Sequence, residues 1–445
     1  STIWLQNTES MVQKMRKMKD SGIEWIGEIP EGWEITRLKY LADFEPTCDT
    51  SYLTDESKIT YTPMECVKNG GFENRSALYG NLSHTLTPFQ NGDIAMAKVT
   101  PCFENGNIAI MDNLFSGFGL GSSELFVFRP KSISTRYFFY WLQNKAFVAR
   151  ACSTMTGTGG LKRISPSFIR NCPVHCPSTD EQTKISDYLD VKCSEIDVLL
   201  SKTRSSIEEY KKLKQAVITQ AVTNGVRGER EMKDSGVEWI GEIPKEWVIQ
   251  KIKSISSRIN VGVVIRPSEY FDENGTVPFL RGINVKEYLI SSDNMVYINE
   301  SSNHILSKSQ VHTDDILIVR DGSIGTSCVV PAEYDGANVV SMVIVTPSIS
   351  CDSRFICYSL NSDVGKTQFT LTKIGSALTH TSVSAVSDII VAVPSCAEQK
   401  EIADYLDAKC AEIDGLIAKK EQLVKELESY KKSLIYEVVT GKREV

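Results

Sequence analysis

The sequence predicts an α+β protein: two mixed α/β domains separated by two long antiparallel coiled-coil helices, with a pseudo-twofold internal repeat. Three observations predict it. Lys19–Pro30 (KDSGIEWIGEIP) returns at Lys233–Pro244 with one change, Ile23 against Val237. Glu181–Asp197 (EQTKISDYLDVKCSEID) returns at Glu398–Asp414 (EQKEIADYLDAKCAEID) with twelve of seventeen positions identical. The offsets, 214 and 217 residues, are far too long for a solenoid and mark a duplicated domain. The third observation is a run of apolar residues at alternating spacings of four and three after each second block.

The elements follow in chain order. Residues 1–17 are an N-terminal arm of native or expression origin. Residues 18–177 form a first globular domain, 178–226 a central helix, 227–394 a second globular domain and 395–445 a C-terminal helix. Each KDSG block is a strut leading into its domain, with Trp25, Ile26, Ile29 and Trp33 buried, as Trp239, Ile240, Ile243 and Trp247 are. Asp93–Val99, Glu124–Arg129, Asp315–Val319 and Val339–Val345 are apolar runs broken by turn residues and are predicted as strands. Tyr137–Val148 and Phe355–Leu360 are predicted as short helices. Pro173–Pro177 and Val391–Pro394 are extended exits into the long helices.

Ser178 and Ser395 stand three residues before Glu181 and Glu398, a capping-box spacing. The predicted seam of the first helix is Ile185, Leu189, Lys192, Ile196, Leu199, Thr203, Ser206, Tyr210, Leu213 and Val217. That of the second is Ile402, Leu406, Lys409, Ile413, Leu416, Lys420, Leu423, Leu427, Tyr430 and Leu434. The apolar and aromatic members are the candidate helix-pairing residues. Each helix starts acidic (Asp187, Asp190; Asp404, Asp407) and ends basic (Lys211, Lys212; Lys431, Lys432), which suits the helix dipole and matches charges in an antiparallel pair. The alternative is that each helix packs only on its own domain.

Composition excludes several classes. Apolar residues make up 41% and net charge is −7 in 445 residues, as in ordinary globular proteins and unlike proteins that coat nucleic acid over their whole surface. No apolar run is long enough for a membrane span, and the first residues do not form a secretory signal. Twelve scattered cysteines predict reduced thiols and a cytoplasmic location. No catalytic or metal constellation emerges, and no cofactor is expected. Phe115–Gly119 fits F-x-G-x-G, an S-adenosylmethionine-like loop, but turn and strand follow it where a helix is needed. Glu398-Gln399-Lys400 has the E-x-K of a nuclease half-site, but opens a helix and loses its Lys in the repeat. Gly365-Lys366-Thr367 lacks the first glycine of a phosphate loop. Cys172, His175 and Cys176 lack a second ligand pair.

Weak signals for nucleic acid recur at matching places. Lys98 and Arg320 end equivalent strands and precede polar loops carrying Thr100 and Asn105, and Ser323. Lys162 and Arg163 follow a glycine-rich stretch, as Thr379 and His380 do in the second half. Arg281 and Asn284 join the candidate contacts on charge and position alone. Such residues contact phosphates and base edges.

Together these features resemble the specificity subunit of type I restriction–modification systems. The residues that carry the resemblance are the two KDSG blocks, the two EQ blocks, and the pieces GDIAMAKVTPCFENG, GSSELFVFRP and DILIVRDGSIG. The resemblance implies two target-recognition domains, each reading one part of a split asymmetric site in double-stranded DNA. It implies that the helices set the gap and dock two methyltransferase subunits, and that restriction/translocase subunits join them. The chain itself would then be non-catalytic. Two readings of other classes stand beside it: a stand-alone bipartite DNA-binding regulator, and an enzyme using Phe115–Gly119.

Overall fold

The computed structural model describes residues 16–83, 85–158, 160–374 and 380–445. Thr379, Gly159 and residues 1–15 of the N-terminal arm lie outside the described residues. The chain divides into two units, residues 1–203 with 422–445, and residues 204–421.

The twice-written block is a hairpin. In the first unit Met18–Asp20 pairs antiparallel with Glu28–Pro30, and in the second Met232–Asp234 pairs with Glu242–Pro244. The Asp20 carboxylate accepts the Gly22 N–H at 2.9 Å, and Asp234 does the same for Gly236. Gly22 and Gly27 have φ of +69° and +70°, and Gly236 and Gly241 repeat this at +73° and +72°, conformations that a Cβ disfavours. The block recurs because nearly every residue in it answers a turn or a packing demand. Ile26, Ile29 and Trp33 are buried, as are Ile240, Ile243 and Trp247. The hairpin-tip tryptophans depart from the expectation. Trp25 is half-buried and Trp239 is 38% exposed, because the tip turn sends Ile26 and Ile240 inward in their place.

Both units share one sheet plan. In the first, the order is Ile108–Met111, Asp93–Ala97, Leu125–Pro130, Ala42–Phe44, all antiparallel. In the second it is Ser327–Val329, Ile316–Val319, Met342–Pro347, Ser256–Val261, again antiparallel. A smaller sheet with one parallel pair accompanies each: Lys58–Thr62 beside Phe118–Gly121, and Val277–Leu280 beside Asn338–Val339. Asp93 and Asp315, both buried, begin the equivalent strands and are neutralised differently. Arg129 grips Asp93 with two bonds of 2.8 Å from the adjacent strand, whereas Arg258 reaches Asp315 at 2.7 Å from the strand beyond the adjacent one.

Two predicted segments are divided. Val339–Val345 is interrupted at Ser341, whose φ of +49° turns the chain from one sheet into the other. Tyr137–Val148 is two helices, Thr135–Trp141 and Lys145–Ser153. Asn144 caps the second by accepting the Phe147 N–H at 2.9 Å.

The long helices are Thr179–Asn224 and Cys396–Val439. Ser178 and Ser395 cap them weakly, at 3.4 Å to the N–H of Glu181 and Glu398. The glutamates do not complete a capping box. Glu181 accepts from Arg16 and from Trp33 Nε1 at 2.9 Å, and the buried Glu398 accepts from Arg230 at 2.6 Å. Arg16 and Arg230 each also lie 5.3 Å over the repeated tryptophan, Trp33 and Trp247. Gln182 accepts the N–H of Ser134 and donates to Pro177 O; Gln399 accepts the N–H of Asp352 and donates to Pro394 O. The EQ pair thus clamps each helix start to its domain.

The buried seam does not keep the seven-residue frame. Leu199, Leu213, Leu416, Leu423 and Tyr430 are exposed, whereas Leu200, Ile207 and Cys193 are buried. The buried isoleucines Ile185, Ile196, Ile207 and Ile218 recur every eleven residues. Ile402, Ile413, Val424 and Ile435 do the same, Val424 being partly buried. Eleven residues in three turns is about 3.67 per turn, close to the natural 3.6, so this seam stays on one face of a nearly straight helix. A strict seven-residue repeat would wind it left-handedly. Of the predicted pairing positions, Ile185, Leu189, Ile196, Ile402, Leu406, Ile413 and Leu434 are buried; Tyr210, Val217 and Leu427 are half-buried.

Candidate nucleic-acid interface

In the first unit, the strand Asp93–Ala97 delivers Lys98 to a junction of two loops. The Lys98 N–H donates to Glu124 O, and its carbonyl accepts the Ile164 N–H, both at 3.0 Å. Its ammonium lies 5.4 Å from the Phe126 ring centre. Thr100 is nearly buried and fully committed. Its Oγ1 donates to Gly160 O at 3.0 Å and accepts the Lys162 N–H at 2.9 Å. Thr100 therefore ties the two loops together, and its hydroxyl is not presented outward. Asn105 is exposed on the first loop, and Lys162 and Arg163 are exposed on the second. Arg163 is not an unopposed charge: its Nε and Nη2 bond to the Glu124 carboxylate at 2.9 and 2.6 Å. This pairing holds the Glu124 carboxyl below the usual range.

The second unit builds the same junction with other side chains. Ile316–Val319 delivers Arg320, whose carbonyl accepts the Thr381 N–H at 3.1 Å. This is the counterpart of the Lys98–Ile164 bond, so Arg163 and His380 hold matching places one residue before it. Arg320 Nε donates to Thr381 O at 2.9 Å. Ser323 is exposed on a loop between Gly322 and Gly325, at φ +76° and +88°. A Cβ on Gly325 would stand 2.5 Å from Phe369, so the loop turns close against a helix. That loop and the helix residues Lys366, Phe369 and Thr370 enclose a cleft of about 250 Å³.

Arg281 and Asn284 have different fates. Arg281 is half-buried, with Nη2 donating to Asn294 O, and it lies beside the end of the Arg320 strand through Gly282, which packs on Val319. Asn284 is fully buried. Its Oδ1 accepts the Arg281 N–H at 3.1 Å, and its amide donates to Ser291 O and Asp293 O at 3.1 and 2.9 Å. Both amide protons are spent inside a turn, so the expected base contact from Asn284 gives way to a structural one. Lys366, weighed in the sequence only as part of a phosphate-loop look-alike, stands at this cleft. It faces the Ser323 loop from a helix and bonds Glu287 at 2.8 Å and Gln215 at 3.0 Å.

The catalytic look-alikes acquire structural roles. Gly119 and Gly121 of the F-x-G-x-G segment and its flank pack on the Phe89 ring, where added Cβ atoms would sit 2.2 and 3.0 Å from it. Gly365 lies against the carbonyls of Ser359 and Leu360, at 2.5 and 2.2 Å from an added Cβ. His175 is buried, its Nε2 2.7 Å from Val439 O, and is therefore engaged with a helix end. Among the described residues no cluster of three or more His, Cys, Asp or Glu forms a metal cage, and no helix is long and apolar enough to cross a membrane.

Comparison with known proteins places this arrangement. The "EcoAI specificity subunit" of a type I restriction enzyme from Escherichia coli is 34% identical over 196 residues, 43% of this chain and 33% of that protein. The EcoEI counterpart is 32% identical over the same shares. This chain thus spans about a third of the length of those two relatives. The MjaVIII specificity subunit of Methanocaldococcus jannaschii is 24% identical over 93% of both chains. In fold, a chain from a structure of complex assembly and conformational transition of the type I R-M system matches at TM-score 0.73 and 15% identity, covering 93% of this chain and 99% of that one. The HsdS subunit from Thermoanaerobacter tengcongensis matches at 0.50 and 15% identity, covering 93% of this chain and 98% of that one. The family described as type I restriction modification DNA specificity domain matches twice, at residues 30–209 and 244–426, and the chain belongs to it.

Proposed function

We propose that this chain is the DNA sequence-recognition subunit of a type I restriction–modification complex. Each unit reads one part of a split, asymmetric site in double-stranded DNA. One observation carries the reading: a single strand-end frame, closed by the same backbone bond, presents Lys98, Lys162 and Arg163 in one unit and Arg320 and His380 in the other. Identical halves would read a symmetric site; unlike side chains on a common frame read an asymmetric one. Asn105, Ser323 and Arg281 complete the contact set, with Thr379 proposed on sequence alone.

In this reading the long helices pair antiparallel along the eleven-residue seam, relate the halves by a pseudo-twofold axis, and set the spacing of the half-sites. Support comes from ion pairs inside each unit, Lys431 with Asp197 at 2.7 Å and Lys214 with Asp414 at 2.6 Å. A step of 17 residues up one helix is a step of 17 down the other. The chain itself performs no chemistry. Two methyltransferase subunits dock on the helices, and one flips the target adenine from the stack; restriction/translocase subunits supply ATP-driven cleavage. The net charge of −7 assigns much of the phosphate clamping to those partners.

The test is single-molecule sequencing of adenine methylation in the host, with the gene intact and deleted. Loss of methylation at one split asymmetric motif on deletion is the expected result. An unchanged pattern, with a partner methyltransferase shown to be expressed, overturns the proposal.

A further inference from the structure

The end of the second sheet that carries Arg320 also carries an apolar loop that the first sheet lacks. Ser256–Val261 runs antiparallel to Met342–Pro347, and its ladder continues past the strand. The Gly262 N–H donates to Met342 O at 2.9 Å and the Val263 N–H to Val339 O at 2.8 Å, while Val263 O accepts the Ser341 N–H at 3.0 Å. The first-unit strand in the same place, Ala42–Phe44, stops short of the Lys98 end. Glu45 turns there at φ +53°. Two residues on, Thr47 O accepts from Arg129, which grips Asp93 at the far end of the strand that leads to Lys98.

In the second unit several chain ends meet around Ser341. Its N–H holds Val263 O, and its Oγ donates at 3.4 Å to Asp321, the residue after Arg320. The preceding Val340 N–H donates at 2.8 Å to Leu280 O, just before Arg281. One strand stands between Val263 and Arg320, so two strand spacings, about 10 Å, separate them. That separation fits within a DNA major groove about 12 Å wide.

Val263 packs on the cluster of Val277, Phe279 and Ile298, and Tyr270 packs on it again. The residues between them form an outward loop. Val264 is 53% exposed and Ile265 is 79% exposed. The backbone then takes φ +44° at Arg266, immediately before Pro267, a conformation that sterics disfavour on both counts. A single exposed apolar residue needs no explanation. Here two adjacent β-branched ones lie at a sheet end together with Arg266, Arg281 and Arg320, a set that complements an anionic duplex. Glu269 faces Arg266 at 3.2 Å and Asp321 faces Ser341, so the nearby acidic groups are already engaged. Guanidinium groups suit phosphates and guanine edges. An apolar side chain suits the apolar group that the major groove displays, the thymine C5-methyl.

We propose that Ile265, supported by Val264, contacts a thymine methyl in the half-site read by the second unit and so specifies an A·T pair there. The proposal rests on the DNA-recognition reading and adds a residue and a base to it.

The test uses the chain assembled with its methyltransferase subunits, and duplexes carrying the motif found by methylation sequencing. Each thymine is replaced in turn by deoxyuridine, which removes only the methyl group. At one thymine the wild type should lose about fourfold in affinity, the ratio expected for burying one methyl group. Ile265→Ala should bind the parent duplex weaker by about fourfold or more and show no thymine–uracil difference at that position. Differences at other positions should stay as in the wild type. Wild-type affinity unchanged at every thymine overturns the proposal. So does an Ile265→Ala loss that leaves every thymine–uracil difference intact, the outcome for a contact to a partner protein or a wedge between base steps. The side chain is exposed, so its truncation leaves the core untouched, and the deoxyuridine series needs no variant. A complex with no preferred motif fails the recognition reading and this proposal with it; a motif bound without the thymine effect fails this proposal alone.

Discussion

Lowering the pH should loosen the first unit through one imidazole. His175 is buried against Trp33 and Trp141, with ring centres 5.6 and 6.0 Å away. Its Nε2 carries the proton that bonds Val439 O at 2.7 Å, and its Nδ1 is buried with no hydrogen-bond partner among the described residues. A second proton would create a charge with no acceptor. Burial accordingly pushes the pKa down to about 4, against the opposing effect of the Val439 bond. The unfolded chain takes up that proton near the ordinary value of about 6.5. Between these values the unfolded state binds more protons than the folded one, so stability is complete above about pH 6.5 and is lost as pH falls toward 4. The slope approaches about 1.4 kcal/mol per pH unit, and the total is about 3 kcal/mol. Other carboxylates titrate in the same window, so the measurement is a difference. Urea unfolding of wild type and His175→Gln, followed by tryptophan fluorescence from pH 7.5 to 4, should show wild type losing about 3 kcal/mol relative to the variant. A pH-independent difference would refute the argument.

Three further outcomes are expected. Asn284→Ala should destabilise the second unit by about 2 kcal/mol, because two turn carbonyls lose their donors, without relaxing base preference at any one position; denaturant unfolding and a site-selection assay check this. Glu124→Gln should release Arg163 for phosphate and steepen the salt dependence of DNA binding by about one counterion, while Lys162→Ala should flatten it by about the same amount, both read from affinity against salt concentration. Inserting eleven residues after Thr203 and after Glu421 adds about 16 Å of helix without rotating the seam, and should widen the gap between half-sites by about 5 base pairs in methylation sequencing; retained activity with an unchanged gap would sink the spacer role.

The duplicated blocks made the architecture legible because their residues answer local demands. Asp20 and Gly22 make a turn wherever they occur, and Gln182 and Gln399 clamp equivalent helix starts. The seam was misread because Leu199 and Leu213 are as apolar as Leu200 and Ile207. Spacing alone does not say which neighbour a partner element covers. Asn284 was a candidate reader on residue type and position alone; only the turn around it shows where its protons go.

The first unit is stitched from two distant stretches of chain. Its core needs Leu434, Ile435, Val438 and Val439, and both Tyr137 and His175 bond the carbonyl of Val439. The second unit is drawn from one continuous stretch, residues 204–421. On the ribosome, therefore, the portion translated later can close first. The earlier portion must wait, with an uncovered apolar face, until the final turns of the second long helix are made. A stop codon or a slow stretch after residue 421 would injure the domain built from residues translated hundreds of codons before it.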